Sequence, residues 1–291
     1  MSSSEIETRL RSHLQAVARE RDIYVATGGR FFVREYVRRQ LAQWGTVMSH
    51  AFDAGGQAGE NLILDLPCLP STRSGAAPIL VGAHYDGVPG TPGADDNATG
   101  VAVLLELARA WSTQPLPYPI RLVAFDLEEY GLLGSQAYAD YLRQQGQALR
   151  LMLSLEMLGY CKTAPGSQRY PTGLKWFYPD RANFIALVGN LPTWKDTRWL
   201  SRQIRQTLPC EWLLAGWRGQ VVPASRRSDH VPFWDLGYPA LMVTDTSFLR
   251  NPHYHQPSDR IDTLDLDFLT RVQVGLERGL RSLAMDAAAQ T

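Results

Sequence analysis

The sequence predicts a single α/β domain, a three-layer α/β/α sandwich around a mixed, mostly parallel sheet. Three observations lead there. Apolar runs of strand length alternate with amphipathic stretches of helical period. A chain of 291 residues with 45% hydrophobic content has ample material for one large core. Several apolar runs stop at acids or imidazoles, and in α/β proteins ligand-binding groups gather where strands end at their carboxyl edge. The whole of 1–291 is expected to form one domain, with residues 1–45 as N-terminal helices packed on it.

Residues 5–20 read as a helix with Ile6, Leu10, Leu14 and Val17 on one stripe, and a second helix is expected near 29–44. Strands follow near Val47–Phe52 and Asn61–Leu66, then a turn-rich stretch from Pro67 to Pro78. The run Pro78 to Ala83 is a strand that delivers His84, and the amphipathic stretch after Asp96 is a helix. A strand over 120–127, a helix near 134–145 and a strand over 150–156 come next. Residues 160–182 read as a long loop near the site, with Tyr170, Trp176, Phe177 and Tyr178 expected to pack rather than to form a substrate wall. Phe184–Val188 and Cys210–Leu214 are strands flanking a helix at Asp196–Thr207. Ser228-Asp229-His230 opens a short helix closed by Gly237, Pro239–Val243 is a strand, and a helix runs from about Asp265 to Ala284.

The most informative stretch is Gly93-Ala94-Asp95-Asp96-Asn97-Ala98-Thr99-Gly100, shortly after His84-Tyr85-Asp86. A strand ends by presenting an imidazole and a carboxylate, a Gly-rich loop follows, and a helix begins at more carboxylates. The strand at 120–127 ends in Glu128-Glu129, that at 150–156 in Glu156, and the one at 239–243 leads to His253, Tyr254 and His255. Neutral imidazoles and fixed carboxylates brought to one edge suit a divalent metal of the zinc type. Adjacent Glu128 and Glu129 at a strand end point to opposite sides, so one can bind metal while the other reaches the neighbouring water. Asp95 is read as the N-cap of the following helix, and Asp259 as a turn residue in preference to a partner of His255.

These motifs resemble the co-catalytic di-zinc aminopeptidases of metallopeptidase clan MH, the group of bacterial leucyl aminopeptidase and aminopeptidase Y. The resemblance runs from about residue 60 to the C-terminus. It rests on His84-x-Asp86, Gly93-Ala94-Asp95-Asp96, Phe125-Asp126-Leu127-Glu128-Glu129, Leu155-Glu156-Met157, Ser228-Asp229-His230 and Asn251-Pro252-x-x-His255, in that order. It implies a zinc-exopeptidase fold and an enzyme that hydrolyses the N-terminal residue of a peptide. It also implies two zinc ions per chain: Asp96 bridging, His84 and Glu156 on one metal, Glu129 and His255 on the other. Glu128 matches the general base, Asp86 the acid that hydrogen-bonds the ligand histidine, and Asp96–Asn97 a cis peptide. Three carboxylates and one hydroxide would neutralise two dications, which lets a metal-held water ionise near neutral pH. Ser228 and Asp229 either cap the short helix or support the ligands from behind.

The sequence departs from this pattern in places. Glu156 stands where the best-known members have Asp, Ser225 stands where some carry a carbonyl-polarising Tyr, and His253 is an additional imidazole. Two other readings share the scaffold: a glutaminyl cyclase using one zinc at the counterparts of Asp96, Glu129 and His255, and a binding module without catalysis. Composition narrows the field further. Acids and bases balance at 29 each, so no anionic partner such as nucleic acid or a membrane surface is implied. No apolar stretch approaches the length of a membrane span. Cys68, Cys161 and Cys210 are too few and too scattered for a disulfide framework. A cytoplasmic enzyme acting on peptides is the expectation, with oligomeric state left open.

Overall fold

The computed structural model describes residues 2–69 and 75–289. The turn-rich stretch expected at 67–78 therefore falls partly outside the described residues. α1 (Ser3–Val17) begins with a capping box in which Ser2 and Glu5 each bond the other's backbone N–H. It buries the expected stripe of Ile6, Leu10, Leu14 and Val17. α2 (Thr27–Leu41) buries Val33, Val37 and Leu41.

β1 (Val47–Ala54) and β2 (Gln57–Leu66) form a hairpin, with Ala54 opposite Gln57. Gly55 and Gly56 between them have φ of 65° and 88°. Two consecutive positive φ values are what the tightest hairpin loop needs, and glycine adopts them without a steric penalty. The hairpin extends β2 four residues before the expected start at Asn61. β3 (Ile79–His84), α3 (Gly100–Thr113), β4 (Ile120–Phe125), α4 (Leu133–Gln144) and β5 (Leu151–Glu156) follow. Then come β6 (Ile185–Gly189), α5 (Trp194–Ile204), β7 (Cys210–Leu214), α6 (His230–Asp235), β8 (Ala240–Thr244) and α7 (Leu266–Ala289).

The strands form one eight-stranded sheet in the order β1-β2-β4-β3-β5-β8-β6-β7. The pairs β4/β3, β3/β5, β5/β8 and β6/β7 are parallel, while β1/β2, β2/β4 and β6/β8 are antiparallel. Side chains alternate across the pleat. Ile79, Val81, Leu151, Leu153 and Leu155 enter the core beneath α1, α2, α3, α5 and α7, whereas Leu80, Val123, Phe125 and Met152 enter the one beneath α4 and α6. The result is the expected three-layer sandwich. Each fully buried aliphatic side chain contributes roughly 1.5–3 kcal/mol of transfer free energy, so the central strands are the rigid base of everything at their ends. Gly82 is part of that base: a Cβ there would lie 2.3 Å from the Phe125 ring of the neighbouring strand.

Two expectations need correction. The strand after α3 stops at Phe125, two residues short, because Leu127 turns to φ 55°. Glu128 and Glu129 consequently lie in a turn, and strand alternation is not what separates their side chains. Residues 160–182 do form a long loop, whose regular structure is one short turn at Leu174–Trp176 and a bridge between Lys162 and Ala182. Within it Trp176 and Phe177 are both 79% exposed, so these two do not pack. No described helix is long and apolar enough to cross a membrane, and all three cysteines are free.

Candidate active site

The four neighbouring strands β4, β3, β5 and β8 all end at one edge, and the expected residues collect there. His84 and Glu156 are the last residues of β3 and β5. Glu128 and Glu129 follow β4, Asp96 lies in the loop between β3 and α3, and His255 lies in the loop after β8. Asp96 stands in the centre: its Oδ1 is 3.3 Å from His84 Nε2 and its Oδ2 is 3.1 Å from His255 Nε2. Glu156 Oε2 lies 3.6 Å from His84 Nε2, and Glu129 Oε2 3.4 Å from His255 Nε2. Glu128 Oε2 is 4.0 Å from His84 Nε2. One carboxylate thus separates two half-sites, each holding a histidine and a glutamate. The five residues named as ligands and the one named as base converge.

Loop contacts fix this geometry. The Asp86 carboxylate lies 3.3 Å from His84 Nδ1 and accepts the backbone N–H groups of both Glu128 and Glu129, each at 3.1 Å. Asp86 therefore orients the imidazole and also sets the turn that points the two glutamates. The Asp96–Asn97 peptide is cis. Asn97 donates to the Leu155 carbonyl and accepts from Gly100 and Met157 N–H, which ties this loop to the end of β5. Asp95 is not a helix N-cap: it is fully buried and accepts from Gly159 N–H, Thr99 Oγ and Asn251 Nδ2. Asp259 does more than close a turn, since its two oxygens accept the N–H groups of Asp95 and Asp96 at 2.9 and 3.1 Å. Ser228 donates to Glu156 Oε2 at 2.7 Å and contacts Ser154 Oγ at 2.9 Å. That is support of a candidate ligand. Asp229 immediately precedes α6 without capping it, and its side chain is buried beside the acids.

Concentrating carboxylates under low polarity shifts their protonation. Burial, then the charge of Asp96, lifts Glu129 to about 7. Burial and nearby Glu156, Glu129 and Asp229 push Glu128 well above the ordinary carboxylate range, against the pull of His84. Burial also raises Asp229 to about 7. For Asp96 burial opposes ionisation, yet the imidazoles of His255 and His84, at 3.1 and 3.3 Å, prevail and hold it below its usual value. Burial disfavours a charged His255, but Asp96 and Glu129 override it and carry the imidazole up to about 10.

The donor set suits a metal. Both nitrogens of buried His84 and Oε1 of Glu129 lack a hydrogen-bond partner, a costly state for buried polar atoms unless a cation fills it. His84, Asp96 and Glu129 offer ligand atoms within 4.8 Å of one another, as do His84, Glu128 and Glu156. Mixed imidazole and carboxylate donors match zinc. His84, Asp96, Glu129, Glu156 and His255 could hold two such ions, with Asp96 between them.

A cavity of about 840 Å³, counting its open mouth, begins at Glu156 and runs between β6, β8 and the long loop. Its walls are mainly apolar, with Tyr170, Tyr178, Phe184, Met242 and Tyr254 among them. Tyr170 and Tyr178 stack at 5.8 Å, so these two members of the loop do form a wall. Tyr254 lies against His255, ring centroids 3.8 Å apart, and was not singled out from the sequence. Ser225 also lines the cavity, but its hydroxyl donates to the Val222 carbonyl. Arg226 is engaged by Asp235 and the Arg218 carbonyl, whereas the neighbouring Arg227 stands over Phe248 in the cavity wall. His253 bonds Ser258 through Nδ1 and meets Tyr160 edge-on. The contributions of Asp95 and Asp259 join residues some 160 positions apart, and no local pattern announces them.

Known proteins are similar to this chain in sequence or in fold. The chain is 38% identical over 212 residues to the uncharacterized protein YfbL of Escherichia coli, covering 68% of this chain and 64% of that one. It is 30% identical over 200 residues to aminopeptidase YwaD of Bacillus subtilis, covering 66% of this chain and 38% of that one. The matches thus span about two fifths to two thirds of these relatives. Among solved structures, the LapA aminopeptidase of Legionella pneumophila superposes with a TM-score of 0.69 at 20% identity, over 97% of this chain and 72% of that one. The glutaminyl cyclase of Porphyromonas gingivalis gives 0.67 at 21% identity, over 97% and 98%. At such identities these two structures speak to the fold alone. The model of peptidase family M28 matches residues 61–203 and 212–277, a stretch that holds every residue of the site. The chain belongs to peptidase family M28, of metallopeptidase clan MH.

Proposed function

We propose that the protein is a zinc-dependent aminopeptidase that removes the N-terminal residue of peptides. The observation that carries this reading is the central carboxylate of Asp96, shared between a His84–Glu156 half-site and a His255–Glu129 half-site, with Glu128 beside them and an apolar cavity adjoining. YwaD, a relative by sequence, bears the name aminopeptidase.

His84, Asp96 and Glu156 would hold one zinc ion and Asp96, Glu129 and His255 a second. When bound, zinc supplies Lewis acidity and makes water a nucleophile near neutral pH. The protein's own groups do the rest. Glu128, its proton affinity raised by burial and by its acidic neighbours, accepts a proton from water at a carboxylate oxygen and returns it to the departing amine. The Asp86 carboxylate, 3.3 Å from His84 Nδ1, favours the tautomer that carries its proton there. The acid-rich end of the site favours a free α-ammonium group. The cavity behind Glu156 receives the first side chain, and its aromatic and aliphatic walls favour large apolar ones.

The near-equal length match to a glutaminyl cyclase keeps that activity as the second reading. One experiment separates them. Zinc-loaded protein is assayed on leucyl- and phenylalanyl-4-nitroanilide, on their N-acetyl forms, and on a peptide with N-terminal glutamine. Hydrolysis of free-amine substrates with none of the blocked ones supports the aminopeptidase. Ammonia release from the glutaminyl peptide without hydrolysis of the others would replace it with the cyclase.

A further inference from the structure

The segment between α1 and α2 is short and carries Arg21, Asp22 and, one turn into α2, Arg30. Each reaches a different part of the site. The Arg21 side chain is wholly buried, and its seven hydrogen bonds all go to backbone carbonyls. Nε donates to Tyr85 and Asp86, at 3.0 and 3.1 Å, in the turn just after His84. One terminal nitrogen donates to Pro92 at 2.6 Å, and the other to Gly93 and Asp96 at 2.9 and 3.0 Å. The remaining two bonds, to Val17 and Arg19, anchor the head group to its own segment. Asp22 accepts the hydroxyl of Tyr130, the residue after Glu129. Arg30 holds the Asp126 carboxylate with two nitrogens, two residues before Glu128.

The backbone around the guanidinium is shaped to admit it. A Cβ on Gly93 would lie 2.8 Å from an Arg21 terminal nitrogen and 2.2 Å from the Asp96 carbonyl, and one on Gly87 would lie 3.2 Å from Arg21 Cγ. Gly29 lets α2 close over the segment, since a Cβ there would sit 1.9 Å from the Glu20 carbonyl. A flat group with five fixed donors can bridge the two ends of a loop in this way, which the three donors of an ammonium cannot. A cation buried at full hydrogen bonding but without a carboxylate partner at contact is costly to keep. What surrounds it at longer range is the acidic cluster itself: burial lowers its pKa while Asp96, Asp86, Asp259 and Glu129 act to raise it.

We propose that Arg21 is a positioning residue for the metal site, and that Arg21, Asp22 and Arg30 together form a clasp holding the end of β3 with His84, the β3–α3 loop with Asp96 and the turn with Glu128-Glu129 at their working separation. The clasp lies before residue 61, where the family match begins. The guanidinium spans the two ends of the loop between β3 and α3, and so sets the distance between His84 and Asp96, the two groups on either side of one metal position. Restraint of this kind raises metal affinity and aligns Glu128, without contact to substrate.

The inference rests on the metal-site reading above, and the test keeps the two apart. Zinc content after dialysis, zinc affinity by chelator competition, and kcat and KM on leucyl-4-nitroanilide are measured for wild type, Arg21→Lys, Arg30→Gln and Arg9→Gln. Arg9 pairs with Glu106 and links α1 to α3 away from the loops, so its variant loosens the N-terminal helix without touching the clasp. Arg21→Lys is expected to weaken zinc binding about 10–100-fold, the usual effect of removing a group that orients metal ligands, and to lower kcat with KM little changed. Arg30→Gln should shift both in the same direction but less, and Arg9→Gln should leave zinc affinity at the wild-type value. Should Arg21→Lys fail to fold, Arg30→Gln decides. Wild-type zinc affinity in the clasp variants overturns the proposal, as does an equal loss in Arg9→Gln. Wild-type protein that takes up no zinc overturns the functional reading as well.

Discussion

Removing zinc should make the stability of this protein fall as pH rises from about 5 to about 8, and restoring zinc should abolish the trend. The reasoning starts from groups whose folded pKa values are raised. Glu129 moves from 4.5 up to about 7 and Asp229 from 3.8 up to about 7, both chiefly through burial. Between the two values the unfolded chain has released its proton while the folded chain retains it. Stability then declines by about 1.4 kcal/mol per pH unit for each group. For Glu129 the span is 7 less 4.5, or 2.5 units, which is about 3 kcal/mol. Asp229 alone gives about 4 kcal/mol, but the two groups share neighbours and their effects do not sum. His255 acts in the same sense: its folded pKa of about 10 gives stability that is complete below 6.5 and drains away above it. Asp96 is the exception, held below its ordinary value, and its contribution is lost only in stronger acid. A loss of about 3–4 kcal/mol corresponds to a fall in thermal midpoint of roughly 5–15 °C for a chain of this size. The assay is thermal unfolding of chelator-treated protein at pH 5, 6, 7 and 8, with and without added zinc. Zinc takes the place of the retained protons, so the loaded protein should hold its midpoint or gain as pH rises. A chelator-treated midpoint that is flat or climbs over this range would refute the reasoning.

Three further variants change single residues. Glu128→Gln keeps the shape of the base and all five proposed ligands, so zinc content should stay normal while kcat drops by about 10²–10⁴. Glu129→Gln should instead weaken one zinc site and recover in part with excess metal; atomic-absorption counts for the two variants would show if the roles are exchanged. Ser228→Ala removes the 2.7 Å hydrogen bond to Glu156. It should weaken the His84–Glu156 half-site about 10-fold in zinc affinity without altering the other, and two-step zinc titration would reveal a uniform loss if Ser228 merely supports the fold.

Much of this architecture was legible because it follows from local chemistry. The period-two and period-3.6 patterns at Ile79–His84 or Ile6–Val17 record which face is buried. A strand that ends in His84 or Glu156 must present that residue at the sheet edge. What stayed hidden depends on contacts between distant loops. Nothing near Asp95 shows that Gly159 and Asn251 will come to it, and Asp95 reads as a helix cap until they do. Asp259 looks like any turn acid until its oxygens meet the backbone of the Asp96 loop. Glu128 and Glu129 diverge for a different reason than strand alternation, since the carboxylate of Asp86, more than 40 residues earlier, shapes their turn. The exposure of Trp176 and Phe177 was equally unreadable, because aromatic content alone does not say which rings find a core.

The contact between Asp259 and the loop of Asp96 has a consequence for synthesis. It joins positions 163 and 164 residues apart, and the histidine of the second half-site, His255, comes from the same late loop. Synthesis proceeds from the N-terminus and a domain folds as a unit, so the residues of the clasp, the hairpin and β3 are made long before these partners exist. During that interval the chain has His84 and the Glu128-Glu129 turn but only half of the metal seat. A growing polypeptide is thereby kept from assembling the proposed hydrolytic centre until residue 259 has been made. Chains cut short before residue 255 should be inert toward peptides, however well their first half folds.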